Sequence, residues 1–179
     1  MTKSRTVNVV ATANLEQKLN LEDLAKAGFV YHDEAVYGGR VGYFRSNSFP
    51  GEVTLFPSGK MIGVGATSVR QAFDQLEFVR DSLAKNGVIG HVVLKPKVQN
   101  IVAIIDVEKR FELERLSLEL DLEFEPEQFP GAIMRLSEPC ATTVLLFSSG
   151  KVVVTGVKTD KDLQTIRQYL ENVVASHSK

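Results

Sequence analysis

Apolar and polar positions follow two periods along this chain, the two-residue period of a strand and the 3.6-residue period of a helix, and they do so twice in the same order. Thr6 to Ala13, rich in Val and Ala, reads as a strand, and Val98 to Asp106 reads as its copy. Each leads into a helix. Asn20 is a capping residue ahead of Leu21-Glu22-Asp23-Leu24-Ala25, whose acidic first turn complements the helix dipole. Its copy, Phe111 to Leu120, keeps Leu113, Leu116 and Leu120 on one face. Short strands follow, separated by Gly38-Gly39, Asn47-Ser48, Pro50-Gly51 and Ser58-Gly59, then by Pro130-Gly131, Glu138-Pro139 and Ser149-Gly150, which predicts an antiparallel meander in each half. A long amphipathic helix closes each half. Val69, Ala72, Phe73, Leu76, Val79 and Leu83 make its apolar stripe between Val69 and Lys85, and Leu163, Ile166, Tyr169, Leu170, Val173 and Val174 make that of the copy.

The duplication extends to identities. Leu55-Phe56-Pro57-Ser58-Gly59-Lys60 returns as Leu146-Phe147-Ser148-Ser149-Gly150-Lys151, and 150 − 59 gives an offset of 91. Asn8-Val9-Val10-Ala11 returns as Asn100-Ile101-Val102-Ala103, and Tyr37-Gly38-Gly39 as Phe129-Pro130-Gly131, both at an offset of 92 (100 − 8 and 129 − 37). Two copies of one α+β module therefore fill the 179 residues, 1–90 and 91–179, joined through a linker at 86–97. Modules of this size bury one face of each element most readily against a twin, so two intimately fused halves are expected. A solenoid is excluded, because its repeats run to about 20–50 residues.

The strands carry a further signal. In Thr143-Val144-Leu145-Leu146-Phe147 and Lys151-Val152-Val153-Val154-Thr155-Gly156-Val157 both faces are apolar or β-branched. A half-solvated antiparallel strand alternates apolar with polar. Either a second layer covers the outward face, or that face takes a partner.

Composition narrows the classes. No apolar run approaches the roughly 18 residues of a membrane span, and the start at Met1-Thr2-Lys3 shows no signal region, so an intracellular protein without membrane association is expected. The single Cys140 and the scattered His32, His91 and His177 offer no disulfide and no metal-ligand spacing. Neither a phosphate-cradling glycine loop nor a nucleophile with its base is present, which argues against an enzyme and against a cofactor. A formal net charge of −1 gives no overall basic character. Nine acidic residues lie between Asp106 and Glu127 against Lys109, Arg110 and Arg115, so that stretch must face away from any phosphate backbone.

Over essentially its whole length the chain resembles the TATA-box-binding protein family, in a diverged form of archaeal type. The residues that carry the likeness are Gln99-Asn100-Ile101-Val102-Ala103, Glu125-Pro126-Glu127-Gln128-Phe129-Pro130-Gly131, Leu146-Phe147-Ser148-Ser149-Gly150-Lys151 and Val154-Thr155-Gly156, in that order. The resemblance implies two fused repeats forming a saddle of about ten antiparallel strands with four helices on the convex side, seated on the minor groove of A·T-rich promoter DNA. It assigns groove contacts to Asn8, Val10, Ile62, Asn100, Val102, Leu145, Val153 and Thr155, aromatic wedges to Tyr37, Phe56, Phe129 and Phe147, and phosphate contacts to Lys60, Arg135 and Lys151. An A·T minor groove presents only acceptors, which amide and hydroxyl donors satisfy, and wedges between base steps bend the duplex onto more protein surface.

As partners the resemblance implies transcription factor B, at the loop containing Glu125, Glu127 and Gln128, and RNA polymerase indirectly; a homodimer in the absence of DNA is a further option. The location expected for an archaeal member is the cytoplasm and nucleoid. The first half departs from the family pattern: Val64 replaces Thr, Tyr37-Gly38-Gly39 replaces Phe-Pro-Gly, Thr54 occupies an apolar position and Gly63 a β-branched one, all expected on the DNA side. The alternative reading is an interaction module that binds transcription factor B with weak or no TATA binding of its own. A fold enclosing a small ligand is a third reading, and it leaves the aromatics at both repeat ends unexplained.

Overall fold

The computed structural model describes residues 3–33 and 35–177; Met1, Thr2 and the side chains of Val174 and His177, all used above, lie outside the described residues. Two compact units divide the chain, one of Asn8–Gln99, the other running from Asn100 onward and taking in the opening residues of the first strand.

The first unit builds an antiparallel sheet in the order β2-β3-β4-β1 from β1 (Lys3–Asn14), β2 (Gly42–Phe44), β3 (Glu52–Leu55) and β4 (Lys60–Ala66), with α1 (Leu21–Lys26) and α2 (Val69–Lys85). The second repeats it as β5-β8-β7-β6, from β5 (Lys97–Asp106), β6 (Gly131–Leu136), β7 (Thr142–Phe147) and β8 (Lys151–Val157), with α3 (Leu113–Leu120) and α4 (Asp160–His177). This is the α+β class that the hydropathy pattern predicts. Ten strands are expected and eight are regular among the described residues; in each unit the missing strand is a single bridge, Tyr31 to Tyr43 and Glu123 to Ile133.

Sequence chemistry accounts for the boundaries. The Asn20 side-chain oxygen accepts the backbone N–H of Glu22 at 3.1 Å and of Asp23 at 3.3 Å, so the predicted cap forms. Ser68 caps α2 by accepting the Gln71 N–H, and Thr159 does the same at the start of α4 through Asp162. α2 then turns Ala72, Leu76, Val79 and Leu83 onto β3 and β4, and all four are fully buried. Burying Leu76 and Leu83 contributes about 1.5–3 kcal/mol each. In the second unit Ile166 and Leu170 of α4 fill the same role.

The strand alternation corrects one expectation. Gly63 pairs with Val53 and Ala11, both fully buried, so it lies on the helix-covered face and not on the outward one. A Cβ added there would lie 3.4 Å from Gln75 Oε1 and from Leu76 Cδ2. Val154 and Ile166 stand at the equivalent places of the second unit, Val154 paired with Val144 as Gly63 is with Val53. The missing side chain of Gly63 thus makes room for the buried Gln75, whose Nε2 donates to the Pro50 carbonyl.

Backbone bonds fix the hairpins that follow Phe56 and Phe147 in the same way. Leu15 N–H donates to Gly59 and Leu19 N–H to Pro57 in the first unit; Val107 N–H donates to Gly150 and Phe111 N–H to Ser148 in the second. Gly59 and Gly150 have φ of 85° and 89°, and a Cβ on either would lie about 2 Å from a backbone oxygen (2.2 Å for Gln17 O, 2.0 Å for Lys109 O). Only glycine fits.

Candidate nucleic-acid interface

The face of each sheet opposite the helices is half-buried without a layer of charge. In the second unit the register aligns Ile104, Val153, Leu145 and Ile133 as one transverse row. The next row runs Val102, Thr155, Thr143, Arg135. In the first unit the matching rows are Thr12, Ile62, Thr54, Tyr43, and then Val64 with Glu52, beside the irregularity in β1 that contains Val10. Within each unit the groove residues named from sequence therefore share one outward face: Val10 and Ile62 in one, Val102, Leu145, Val153 and Thr155 in the other.

The two asparagines occupy equivalent seats. Asn8 Oδ1 accepts the backbone N–H of Gly65 at 2.8 Å. Asn100 Oδ1 accepts that of Gly156 at 2.7 Å. Because a backbone N–H can only donate, the amide oxygen must face the strand, and the NH₂ group is left as the available donor. Gly65 and Gly156 hold φ of 93° and 103°, a left-handed backbone that brings the N–H to the side chain. Thr155 Oγ1 lies 3.2 Å from Asn100 Nδ2, which donates to it, and 3.4 Å from Oδ1. The Thr155 hydroxyl donates to that Oδ1, so one amide hydrogen of Asn100 remains for an external acceptor. Val64 stands in the Thr155 position of the first unit, so no hydroxyl accompanies Asn8.

The aromatics differ between the units. Phe129 and Phe147 meet edge to face, with ring centroids 5.8 Å apart and planes at 69°, the arrangement favoured by the ring quadrupoles. Both rings close over Gly131, where a Cβ would lie 2.8 Å from Phe129 Cε1 and 3.1 Å from Phe147 Cε1. Tyr37 has no such seat. The bridges pair Tyr43 as they pair Ile133; Phe129 lies four residues before Ile133 (133 − 129), whereas Tyr37 lies six before Tyr43 (43 − 37). Counting back four places puts Gly39, not Tyr37, opposite Phe129 in the symmetry. Tyr37 sits instead in a 3-10 turn (Tyr37–Gly39) with φ of 50°, is 75% exposed, and among the described residues makes no ring contact with Phe56.

Lys60 and Lys151 open β4 and β8, are exposed, and make no ion pair among the described residues. Arg135 Nη2 lies 3.2 Å from Glu123 at the sheet edge. Glu125, Glu127 and Gln128 form an exposed turn that ends at Phe129: the Glu125 carbonyl accepts the N–H of Gln128 at 3.0 Å and of Phe129 at 2.9 Å, and Gln128 Nε2 donates to the Glu125 carboxylate.

Sequence reading missed Arg45 and Glu52, and saw in Gly131 a turn residue and not the seat of two rings. Arg45 follows Phe44 as Arg135 follows Met134, an offset of 90 (135 − 45) where the sequence markers give 91 and 92, so the symmetry was hidden by a two-residue length difference before β2. Only strand register could reveal it.

A duplicated α+β protein whose two units each turn an unlayered sheet face outward, apolar in the second unit and more polar in the first, with an amide donor seated by a glycine N–H, is the class defined here. The chain belongs to the family described as transcription factor TFIID (or TATA-binding protein, TBP), whose pattern matches residues 3–86 and again residues 95–177. It is 41% identical over 164 residues to the TATA-box-binding protein of Cenarchaeum symbiosum (strain A), covering 91% of this chain and 89% of that one. To TATA-box-binding protein F of Halobacterium salinarum it is 39% identical over 162 residues, covering 88% and 85%. The solved structure of Methanococcus jannaschii TBP superposes with a TM-score of 0.86 at 28% identity, over 97% of this chain and 99% of that chain.

Proposed function

We propose that this protein is a transcription initiation factor that binds the minor groove of A·T-rich, TATA-like promoter DNA, bends it, and recruits transcription factor B and through it RNA polymerase. The observation that carries this reading is the pair of asparagine amides whose oxygens are occupied by Gly65 and Gly156, leaving NH₂ donors on apolar sheet faces. The A·T minor groove offers the matching acceptors, adenine N3 and thymine O2. Ile104, Val153, Leu145 and Ile133 would supply contact area without hydrogen-bond demands, and the edge-to-face Phe129–Phe147 pair supports a wedge that enters a base step.

Binding to a short duplex labelled at both ends tests this, with a TATA sequence compared against a G·C-rich control at fixed salt. Saturable binding and a shortened end-to-end distance on the TATA duplex are expected. Equal binding to both duplexes, without bending, would refute the reading.

The polar first-unit face favours one second reading, an interaction module that engages transcription factor B while binding DNA weakly. Its signature in the same assay is association with transcription factor B in the absence of any DNA response. Replacing Glu125 and Glu127 by Lys separates the two roles: the recruitment reading expects loss of the transcription factor B complex with TATA binding retained.

A further inference from the structure

Among the described residues, Glu52 places a carboxylate on the outward face of the first unit. Glu52 pairs with Val64 in the β3–β4 register, where the second unit pairs Thr143 with Thr155. Its neighbours along and across the strands, Thr54, Ile62 and Val64, are uncharged. Arg45 Nε donates to Glu52 Oε2 at 2.9 Å; the Glu52 side chain is 26% exposed and that of Arg45 is 70% exposed. The equivalent arginine, Arg135, is paired differently: its partner Glu123 sits on the bridge outside β6, and both side chains are more than half exposed, 66% and 56%. One arginine is drawn inward across the face and the other outward to its edge.

We infer that Glu52 is a positioning residue that holds Arg45 away from phosphate and makes its phosphate contact weaker than that of Arg135 in the other DNA-contacting unit. This rests on the DNA-binding reading above. An exposed ion pair is weakly held, so Arg45 can leave it. The carboxylate left behind, however, is half-desolvated on the contact face, where it faces the phosphates without a counter-charge. Glu123, outboard and solvated, imposes no such cost when Arg135 leaves. Glu52 thus cancels the phosphate contact that Arg45 would otherwise make.

The test is a salt titration of TATA-duplex affinity for the native protein, Glu52→Thr, Glu52→Gln, Arg45→Ala and Glu52→Thr/Arg45→Ala. Glu52→Thr installs the residue of the second unit at a half-exposed strand position. Freeing one phosphate contact raises the salt slope by about 0.9, so affinity should fall about 3.5-fold more steeply between 50 and 200 mM salt than for the native protein. Glu52→Gln should move the same way. Arg45→Ala should lower TATA affinity, because it leaves the Glu52 carboxylate without its counter-charge, and in the Glu52→Thr background it should abolish the gain in salt slope, which a merely structural role for Glu52 would not produce. Unchanged affinity and slope in Glu52→Thr, with native binding intact, overturns this inference alone. Absence of TATA binding by both the native protein and Glu52→Thr overturns it together with the reading on which it rests.

Discussion

Asn100 and Gly156 are joined by a side-chain to backbone hydrogen bond of 2.7 Å that decides which way the amide faces. Asn8 and Gly65 repeat it at 2.8 Å. The consequence is testable with an isosteric change. Asn100→Asp keeps an oxygen for the Gly156 N–H but replaces the outward donor by a second acceptor carrying charge. TATA affinity should drop at least tenfold, since a good base contact is worth about 1–3 kcal/mol and the new carboxylate faces acceptors. Thermal unfolding should change little. Asn8→Asp should behave alike, and unaltered affinity in both variants would show that neither amide reads DNA.

Val64 occupies the place of Thr155, so the first unit lacks the hydroxyl that accompanies Asn100. Val64→Thr restores it on a half-buried face. An added donor on groove acceptors should raise TATA affinity by a few-fold, using about 0.5–1.5 kcal/mol for one net hydrogen bond. Competition with a G·C-rich duplex measures it. A gain on both duplexes alike would show that the hydroxyl contacts backbone and not bases.

The wedge residues should not be equivalent. Phe129→Ala and Phe147→Ala each break the ring pair that closes over Gly131 and should lengthen the end-to-end distance of bound DNA. Phe56→Ala should do so in the first unit. Tyr37→Ala should leave bending unchanged, because the register displaces Tyr37 by two residues from the symmetric position and the turn exposes it. Equal loss of bending from Tyr37→Ala would mean that the turn rearranges on DNA.

Gly63 belongs to the core, and its substitutions should report on folding before DNA binding. Gly63→Ala places a Cβ in ordinary contact with Gln75 and Leu76, at 3.4 Å, and should stabilise by about 0.5–1 kcal/mol, the strand cost of glycine. Gly63→Val adds methyls where Gln75 already sits and should destabilise by about 1–3 kcal/mol. Combining it with Gln75→Ile, which copies Val154 over Ile166, should recover most of that loss in a denaturant titration. Failure to recover would show that the Gln75 bond to Pro50 is required by the fold.

Much of this molecule was fixed by local chemistry and so was readable along the chain. Apolar periodicity gave α2 its bounds at Val69 and Lys85, because a long stripe buries one face in only one conformation, and a β-branched run after a Ser-Gly turn gave β8 its bounds at Lys151 and Val157. Asn20 announced α1 for the same reason: its side chain satisfies N–H groups that no helix can satisfy internally. The duplication lay in short motifs that recur at a fixed offset, and Asn8, Asn100, Phe129 and Phe147 lay within them; that the asparagine amides face outward was set by Gly65 and Gly156, more than fifty residues away. What the chain could not show were relations set by strand register. Gly63 reads as an outward departure until its pairing with Val53 and Ala11 turns it to the core. Tyr37 reads as the counterpart of Phe129 until the distance to Tyr43 moves it off the symmetric position. The linkage of Arg45 to Glu52 is invisible from an offset of 91 or 92. A one-residue change of register reverses the face of every side chain on a strand, and register is chosen by hairpin length and by packing against the helices, which only the tertiary structure decides.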